Sequence, residues 1–236
     1  RGFKMELKLS DIFDAKGRQK KIYIDTDERD QCPALPEGYR YFDMIGGEKN
    51  FRMFIAPENM LRSEFMKQNE HLLDESLHPI FINEDISVRQ DMAYAVPGFY
   101  IISPLQHYSS LDDVPPIDNL RLANIKYWIR KGMREELDIE HVHVYYEETE
   151  GLRHSHEWIL PIYNIDPSKR IYDLDVNSYI ESFKFSEQKD NILHYNEMMR
   201  NYIERINLHQ TDQDLKANLA NNNTSPFKTA SFNLQR

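Results

Sequence analysis

The 236-residue chain has little cysteine, no long apolar run and no excess of positive charge, and each shortage excludes a class of protein. Its single cysteine, Cys32, can form neither an intrachain disulfide nor a cysteine-rich metal site, which fits a reducing compartment and points to the cytosol. No segment approaches the ~18–20 apolar residues needed to cross a bilayer, and the first residues lack the basic-then-apolar layout of a signal peptide, so no membrane partner is expected. Met5 is a candidate initiator, and Arg1–Lys4 are given no functional weight. With 29 Lys+Arg against 39 Asp+Glu the formal charge is −10, which argues against general nucleic-acid binding but leaves room for a local anion pocket. Gly46–Gly47 is not followed by Gly-Lys-Ser/Thr, so a hairpin turn is expected there instead of a phosphate loop.

The remaining 40% hydrophobic content suffices for a core, and its periodicity sets the layout. Segments 21–25, 39–44 and 51–55 read as strands, and 57–73 as a helix. Two further strands are expected over 80–83, continuing toward Tyr94, and over 99–103, divided by Val96-Pro97-Gly98. Ile117, Leu120, Ala123, Tyr127 and Trp128 share a helical stripe after Pro115-Pro116, which predicts a helix lying across the sheet on that stripe. Alternation at Val142 and Val144, a Glu-rich turn over 147–151 and the segment 152–163 predict an antiparallel hairpin. A second stripe, Ile192, Tyr195, Met199, Tyr202, Ile203 and Ile206, suits packing on the main body or on another subunit. From Asn207 the chain turns polar and is expected to form a mobile tail.

Four of the nine histidines form two H-x-H pairs, His141/His143 and His154/His156. On a strand both members of a pair share one face, and in the second pair that face continues to Trp158 and Leu160. Three readings of the residues stay open: nucleophilic work on a phosphate ester, metal binding with Glu147 or Glu148, or ordinary strand histidines. For His141 and His143 a solvated face is the preferred account.

The stretch Asn83–Leu111 followed by a helix, a strand and Arg153–Pro161 resembles the histidine-triad superfamily of nucleotide hydrolases and transferases over residues 78–165. Asp91, Pro97-Gly98, Pro104 and His107 stand at that family's spacings, and His154-Ser155-His156 takes the place of its signature. The resemblance implies an α+β fold: an antiparallel sheet of about five strands with a packed central helix, here with an N-terminal β-rich extension (1–77), a helical segment (166–206) and the tail (207–236). It implies His156 as the nucleophile toward an α-phosphate, His154 as its polarising neighbour, His107 as a source of charge and Asp91 as acceptor for ribose hydroxyls, with Trp158 and Phe99 in the substrate pocket. A nucleoside phosphate is the implied partner, no metal or cofactor is called for, and a homodimer is left open.

Where the family has a third histidine this chain has Trp158, where many members have a histidine after Pro-Gly it has Phe99, and Glu150-Gly151 and Ile162 also depart from the pattern. Those differences support an alternative, a nucleotide-responsive module without catalysis whose partner surface is the 177–206 region. A metal-dependent enzyme is the third reading.

Overall fold

A computed structural model describes residues 21–25, 40–46, 49–55, 78–91, 93–106, 108, 110–148, 155–163 and 174–221. The expected helix over 57–73 and the last part of the expected tail, 222–236, lie outside them.

The first three segments form a three-stranded antiparallel sheet, β1 (Lys21–Asp25), β2 (Arg40–Gly46) and β3 (Lys49–Ile55), in the order β1-β3-β2. A five-stranded antiparallel sheet follows: β4 (Phe81–Ile82), β5 (Ile86–Gln90), β6 (Tyr100–Pro104), β7 (Val142–Glu147) and β8 (His156–Pro161), ordered β4-β5-β6-β8-β7. The strand expected to run on from Ile80 is broken into β4 and β5. Asn83 is the cause, because its side-chain oxygen accepts from the backbone N–H groups of Asp85 and Ile86 and turns the chain.

Helix α1 (Pro116–Glu135) crosses from β6 to β7, with Pro116 in the first turn, where its missing N–H costs no bond. It closes through Asp138 at φ 55°, after which the Ile139 N–H bonds to the Met133 carbonyl. Beyond the sheet come α2 (Val176–Glu181), α3 (Phe185–Arg205) and α4 (Leu208–Asn221). The architecture is α+β, and no described helix is long and apolar enough to cross a membrane.

The main core lies between one face of the five-stranded sheet and the helices: Phe81, Ile86, Val88, Tyr100, Ile102 and Ile159 pack with Ile125, Ile129, Met133, Met199, Tyr202 and Ile203. The stripe of α3 is thus absorbed by the body of the molecule. Gly132 permits the contact, because a methyl group there would come within 2.7 Å of the Tyr202 ring.

Two expectations are overturned here. Helix α1 packs on the face carrying Arg121, Ile125, Ile129, Gly132 and Met133, while Leu120 and Tyr127 of the expected stripe are 37% and 58% exposed. The chain after Asn207 is also no tail as far as residue 221. Asn207, at φ 52°, reverses the chain, a conformation Asn tolerates better than most residues, and Leu208 is then fully buried.

One network explains both. Arg121 is 2% exposed and makes a two-pronged bond to Asp212, Nε to Oδ1 at 3.1 Å and Nη2 to Oδ2 at 2.6 Å, while its Nη1 reaches Asp85 at 2.7 Å. Asn83 also donates to Asp212, at 2.8 Å, and Lys216 bonds Asp85 at 2.5 Å. His209 of α4 stacks on Phe81 at 4.5 Å. A composition-based reading of 207–221 sees a mostly polar segment and misses that one of its carboxylates neutralises a buried guanidinium.

Removing one member of such a pair strands the other charge. Asp212→Ala is expected to cost about 3 kcal/mol in urea unfolding. Arg121→Met combined with Asp212→Leu should recover all but about 1 kcal/mol, the remainder reflecting the Asn83 amide that loses its acceptor. A double variant no more stable than Asp212→Ala would show that the pair is not what holds α4.

Candidate functional site

Strand β8 lies between β6 and β7. Its register with β7 sets Glu147 opposite His156, Tyr145 opposite Trp158 and His143 opposite Leu160, and its register with β6 sets Ile101 opposite Trp158. Because directly opposed residues share a face, these side chains lie together on the side away from α1. Glu157 and Ile159 point the other way, Glu157 to Lys126 of α1 at 2.5 Å and Ile159 into the main core. The face assigned to His156, Trp158 and Leu160 from strand period alone is the one observed.

His156 opens β8 at 16% side-chain exposure, and its Nε2 stands 3.2 Å from Oε2 of Glu147. Its ring lies 5.1 Å from the Trp158 ring. Continuing the β6–β8 register by one same-face step places Ser103 beside His156, and Ser87 is paired with Ser103 on β5. Ser87, Ser103, His156 and Glu147 therefore form one row across four strands. The Ser87 hydroxyl is buried with no hydrogen-bond partner among the described residues. The next row holds Arg89, Ile101, Trp158 and Tyr145, so Arg89 is a cation on the histidine face.

Just before β8, the Ser155 N–H donates to the Tyr108 carbonyl at 2.8 Å. This bond brings the backbone next to position 107 against the backbone next to position 156. His107, His154, Glu150 and Arg153 themselves lie outside the described residues.

Asp91 ends β5 and is only 5% exposed. Its Oδ1 accepts from the N–H groups of Ala93 at 2.7 Å and Tyr94 at 2.9 Å, so it shapes the β5–β6 connection. Burial pushes its carboxyl pKa up, partly offset by the charge of Arg89 and by the two backbone bonds. The same connection is held by Gln90, which donates to the Val96 carbonyl and accepts from the Gly98 N–H. Gly98, at φ 74°, supplies the left-handed residue of the Val96–Phe99 turn.

Phe99 is 3% exposed and belongs to a second apolar cluster with Val96, Leu160, Ile162 and Ile180 of α2. Trp158 meets it edge-on at 6.2 Å, and its indole Nε1–H is buried without an acceptor among the described residues. On β7 the two histidines divide: His141 is exposed as expected, whereas His143 is half-buried and shares a 3.0 Å hydrogen bond with the Tyr145 hydroxyl. Burial lowers the His143 pKa. Among the described residues no group of three His, Cys, Asp or Glu is arranged to hold a metal ion.

Sequence reasoning placed Glu147 only among candidate metal ligands and passed over Arg89 and Ser103. The cue for Glu147 is the β7–β8 register, which an eight-residue connection of unknown shape does not fix. Arg89 was readable in principle, since its same-face relation to Trp158 follows once both hairpins are aligned.

No family model matches the chain, and no curated protein matches it. Solved structures do. The chain is similar to a zinc-bound histidine triad family protein from Mycobacterium smegmatis, with 18% identity over 58% of this chain and 86% of that one and a TM-score of 0.38. It is also similar to a hypothetical histidine triad nucleotide-binding protein from Sulfolobus tokodaii (16% identity, 60% of this chain and 91% of that one, TM-score 0.43). A HIT family hydrolase from Legionella pneumophila aligns at 20% identity over 44% of this chain and 97% of its own, with a TM-score of 0.31.

The double bond of Asp91 to its own loop yields a separable prediction. Asp91→Ala is expected to lose about 1–2 kcal/mol of stability, and Asp91→Asn, which keeps an oxygen for both N–H groups, less than half of that. Because the native carboxyl titrates above 3.8, folding holds its proton more tightly than the unfolded chain does, so its contribution is largest below that pH and declines as pH rises through the raised value. Unfolding curves of wild type and Asp91→Asn should therefore separate with rising pH, wild type losing ground; parallel curves would contradict the buried carboxylate.

Proposed function

We propose that the chain is a nucleotide-binding hydrolase or nucleotidyltransferase that acts at the α-phosphorus of a nucleoside phosphate through a covalent intermediate on His156. The observation that carries this reading is His156 itself, held by Glu147 at the start of β8 on the sheet face away from the core helices. A carboxylate that accepts from one ring nitrogen fixes the tautomer and leaves the other nitrogen with its lone pair. With the proton on Nε2 and shared with Glu147, the nucleophilic pair is on Nδ1; for Nε2 to attack, its proton must first pass to Glu147 or the ring must change tautomer.

The reaction then balances in two displacements. An imidazole nitrogen forms a bond to the α-phosphorus as the bond to the leaving oxygen breaks, and the leaving phosphate or alcohol departs with the electron pair and takes a proton. Water or an acceptor hydroxyl next attacks the same phosphorus, the P–N bond breaks, and the imidazole is restored. Charge on the non-bridging oxygens needs a donor, for which Arg89 and the Ser103 hydroxyl are the described groups on this face. Asp91 keeps Oδ2 outside its two loop bonds and would offer it to a ribose hydroxyl. His154 and His107 complete the set in this reading, with Trp158 and Phe99 as the apolar wall.

A second reading, nucleotide binding without turnover, draws on Trp158, which takes the place of a third histidine and cannot pass a proton near neutral pH. The two separate in one experiment. The protein is incubated briefly with nucleoside di- and triphosphates, dinucleoside polyphosphates and nucleotide sugars, quenched without acid, and weighed intact by mass spectrometry. A nucleotidyl increment in wild type that is absent in His156→Ala is expected. Glu147→Gln, which keeps the hydrogen bond but not the charge, should retain the increment and form it about tenfold or more slowly. Saturable nucleotide binding with neither adduct nor product would favour the second reading, and normal turnover by His156→Ala would end the first.

A further inference from the structure

Trp158 follows His156 by two residues on the same face of β8, and the two rings lie 5.1 Å apart. Its indole N–H is buried with no acceptor among the described residues, so a donor beside the nucleophile has given up water without gaining a partner. An indole N–H shares its proton in a hydrogen bond but does not release it near neutral pH. The ring next to His156 is therefore a donor and not an acid.

The rest of the neighbourhood is alike in this respect. The row of His156 holds Ser87, Ser103 and Glu147, and the next row, about 7 Å along the strands, holds Arg89, Ile101, Trp158 and Tyr145. Serine hydroxyls and a guanidinium keep their protons at neutral pH. The Tyr145 hydroxyl is engaged by the His143 ring at 3.0 Å, and burial pushes its pKa up. His143, one row farther, is pushed down by burial toward the neutral ring. Asp91 has a raised carboxyl pKa, but it lies two rows along and two strands across from His156. The proton shared by His156 and Glu147 balances the charge that the ring takes on when it bonds phosphorus. No other described group within one row of His156 has a proton to deliver to a leaving group.

We propose that the site takes phosphoanhydrides, in which the α-phosphorus is bonded through oxygen to a further phosphate, and that Trp158 donates a hydrogen bond to the departing oxygen. Esters of alkyl alcohols and amides of amines are then excluded. The inference rests on the reading of His156 given above. A ring nitrogen of His156 bonds the α-phosphorus, the bridging P–O bond breaks, and the leaving phosphate keeps the electron pair. That phosphate is already an anion near neutral pH, its last proton titrating at about 6, so it needs none from the protein, and any proton it takes comes later from solvent. An alcohol or an amine departs as a far stronger base and needs an acid at the moment the bond breaks. Trp158 is thus compatible with turnover and narrows the leaving group instead of ending the chemistry.

Single-turnover release of the leaving group by the full chain is the test. The substrates are nucleoside 5′-phosphate esters of phenols of graded acidity, a nucleoside 5′-diphosphate as the anhydride and an alkylamine phosphoramidate as the poorest leaving group. The rate is expected to fall at least about threefold for each unit by which the phenol pKa rises, and the phosphoramidate to react at least about 1,000-fold more slowly than the anhydride. Trp158→His, which sets a titratable ring in that place, should raise the phosphoramidate rate at least about tenfold, a gain that is lost as pH rises past about 6.5. Trp158→Phe, which keeps a ring but no donor, should slow the anhydride about 3–10-fold. A weaker dependence on the phenol in wild type would mean that a proton reaches the leaving group, and would overturn the proposal whether or not either variant folds. So would a folded Trp158→His that leaves the phosphoramidate unmoved, or a folded Trp158→Phe that leaves the anhydride unmoved. An adduct formed from the phosphoramidate as fast as from the anhydride removes this inference alone, whereas no adduct on His156 even from the most acidic phenol removes the reading of His156 and this inference with it.

Discussion

Burial of the Arg121 guanidinium is the constraint from which much of the described structure follows. A guanidinium cannot be deprotonated to escape desolvation, so enclosing it requires carboxylates in the same enclosure. Asp212 is the one that satisfies it, at 1% side-chain exposure and with both oxygens engaged. Those bonds draw α4 against α1 and against the β4–β5 turn, where Asp85 and Asn83 complete the set. Burial would raise the Asp85 pKa, but bonds from Lys216 and Arg121 outweigh it and hold the carboxyl below its ordinary value. Its stabilisation is present at neutral pH and disappears as pH falls through that depressed value, the opposite sign to Asp91.

The same residue fixes the rotation of α1. With Arg121 inside, the residues one turn and two turns on, Ile125 and Ile129, are also inside, and Leu120, Ala123 and Tyr127 have to face out. A reading of apolar periodicity counts arginine as a surface residue and so rotates the helix to bury the wrong side. The fate of the C-terminal chain follows from the same blind spot: Asp212 counts as polar, and the pairing that buries it spans 91 residues. By contrast, the helix start at Pro115-Pro116, the break at Val96-Pro97-Gly98 and the β7–β8 hairpin were legible, because proline, glycine and strict alternation act locally.

Legibility of the site divides along the same line. That His156, Trp158 and Leu160 share a face follows from period two and needs no partner strand. That Glu147 is the group facing His156 follows only from register, which is set by the length and shape of a connection and by which face is already buried. The core decides it: a slip by one residue would turn Ile159 out of the cluster with Ile125 and Ile129. The helix-side packing therefore positions the histidine-side pair.

Strand β8 runs from polar to apolar along its histidine face, from His156 through Trp158 to Leu160, and the environment changes accordingly. At the Leu160 end Phe99, Val96 and Ile180 close an apolar cluster; at the His156 end the neighbours are Glu147 and the Ser103 position. In the proposed reaction a phosphate at His156 faces the Glu147 carboxylate, and two anions about 4 Å apart repel by about 4 kcal/mol at the effective dielectric of a protein surface. Binding of such an anion thus requires Glu147 to give up Nε2 or a cation to intervene, and Arg89, one row away across the sheet, is the described cation on that face. In the proposed reaction Glu147 would thus act in two opposed ways, holding the imidazole before a phosphate arrives and setting the charge that the phosphate has to displace.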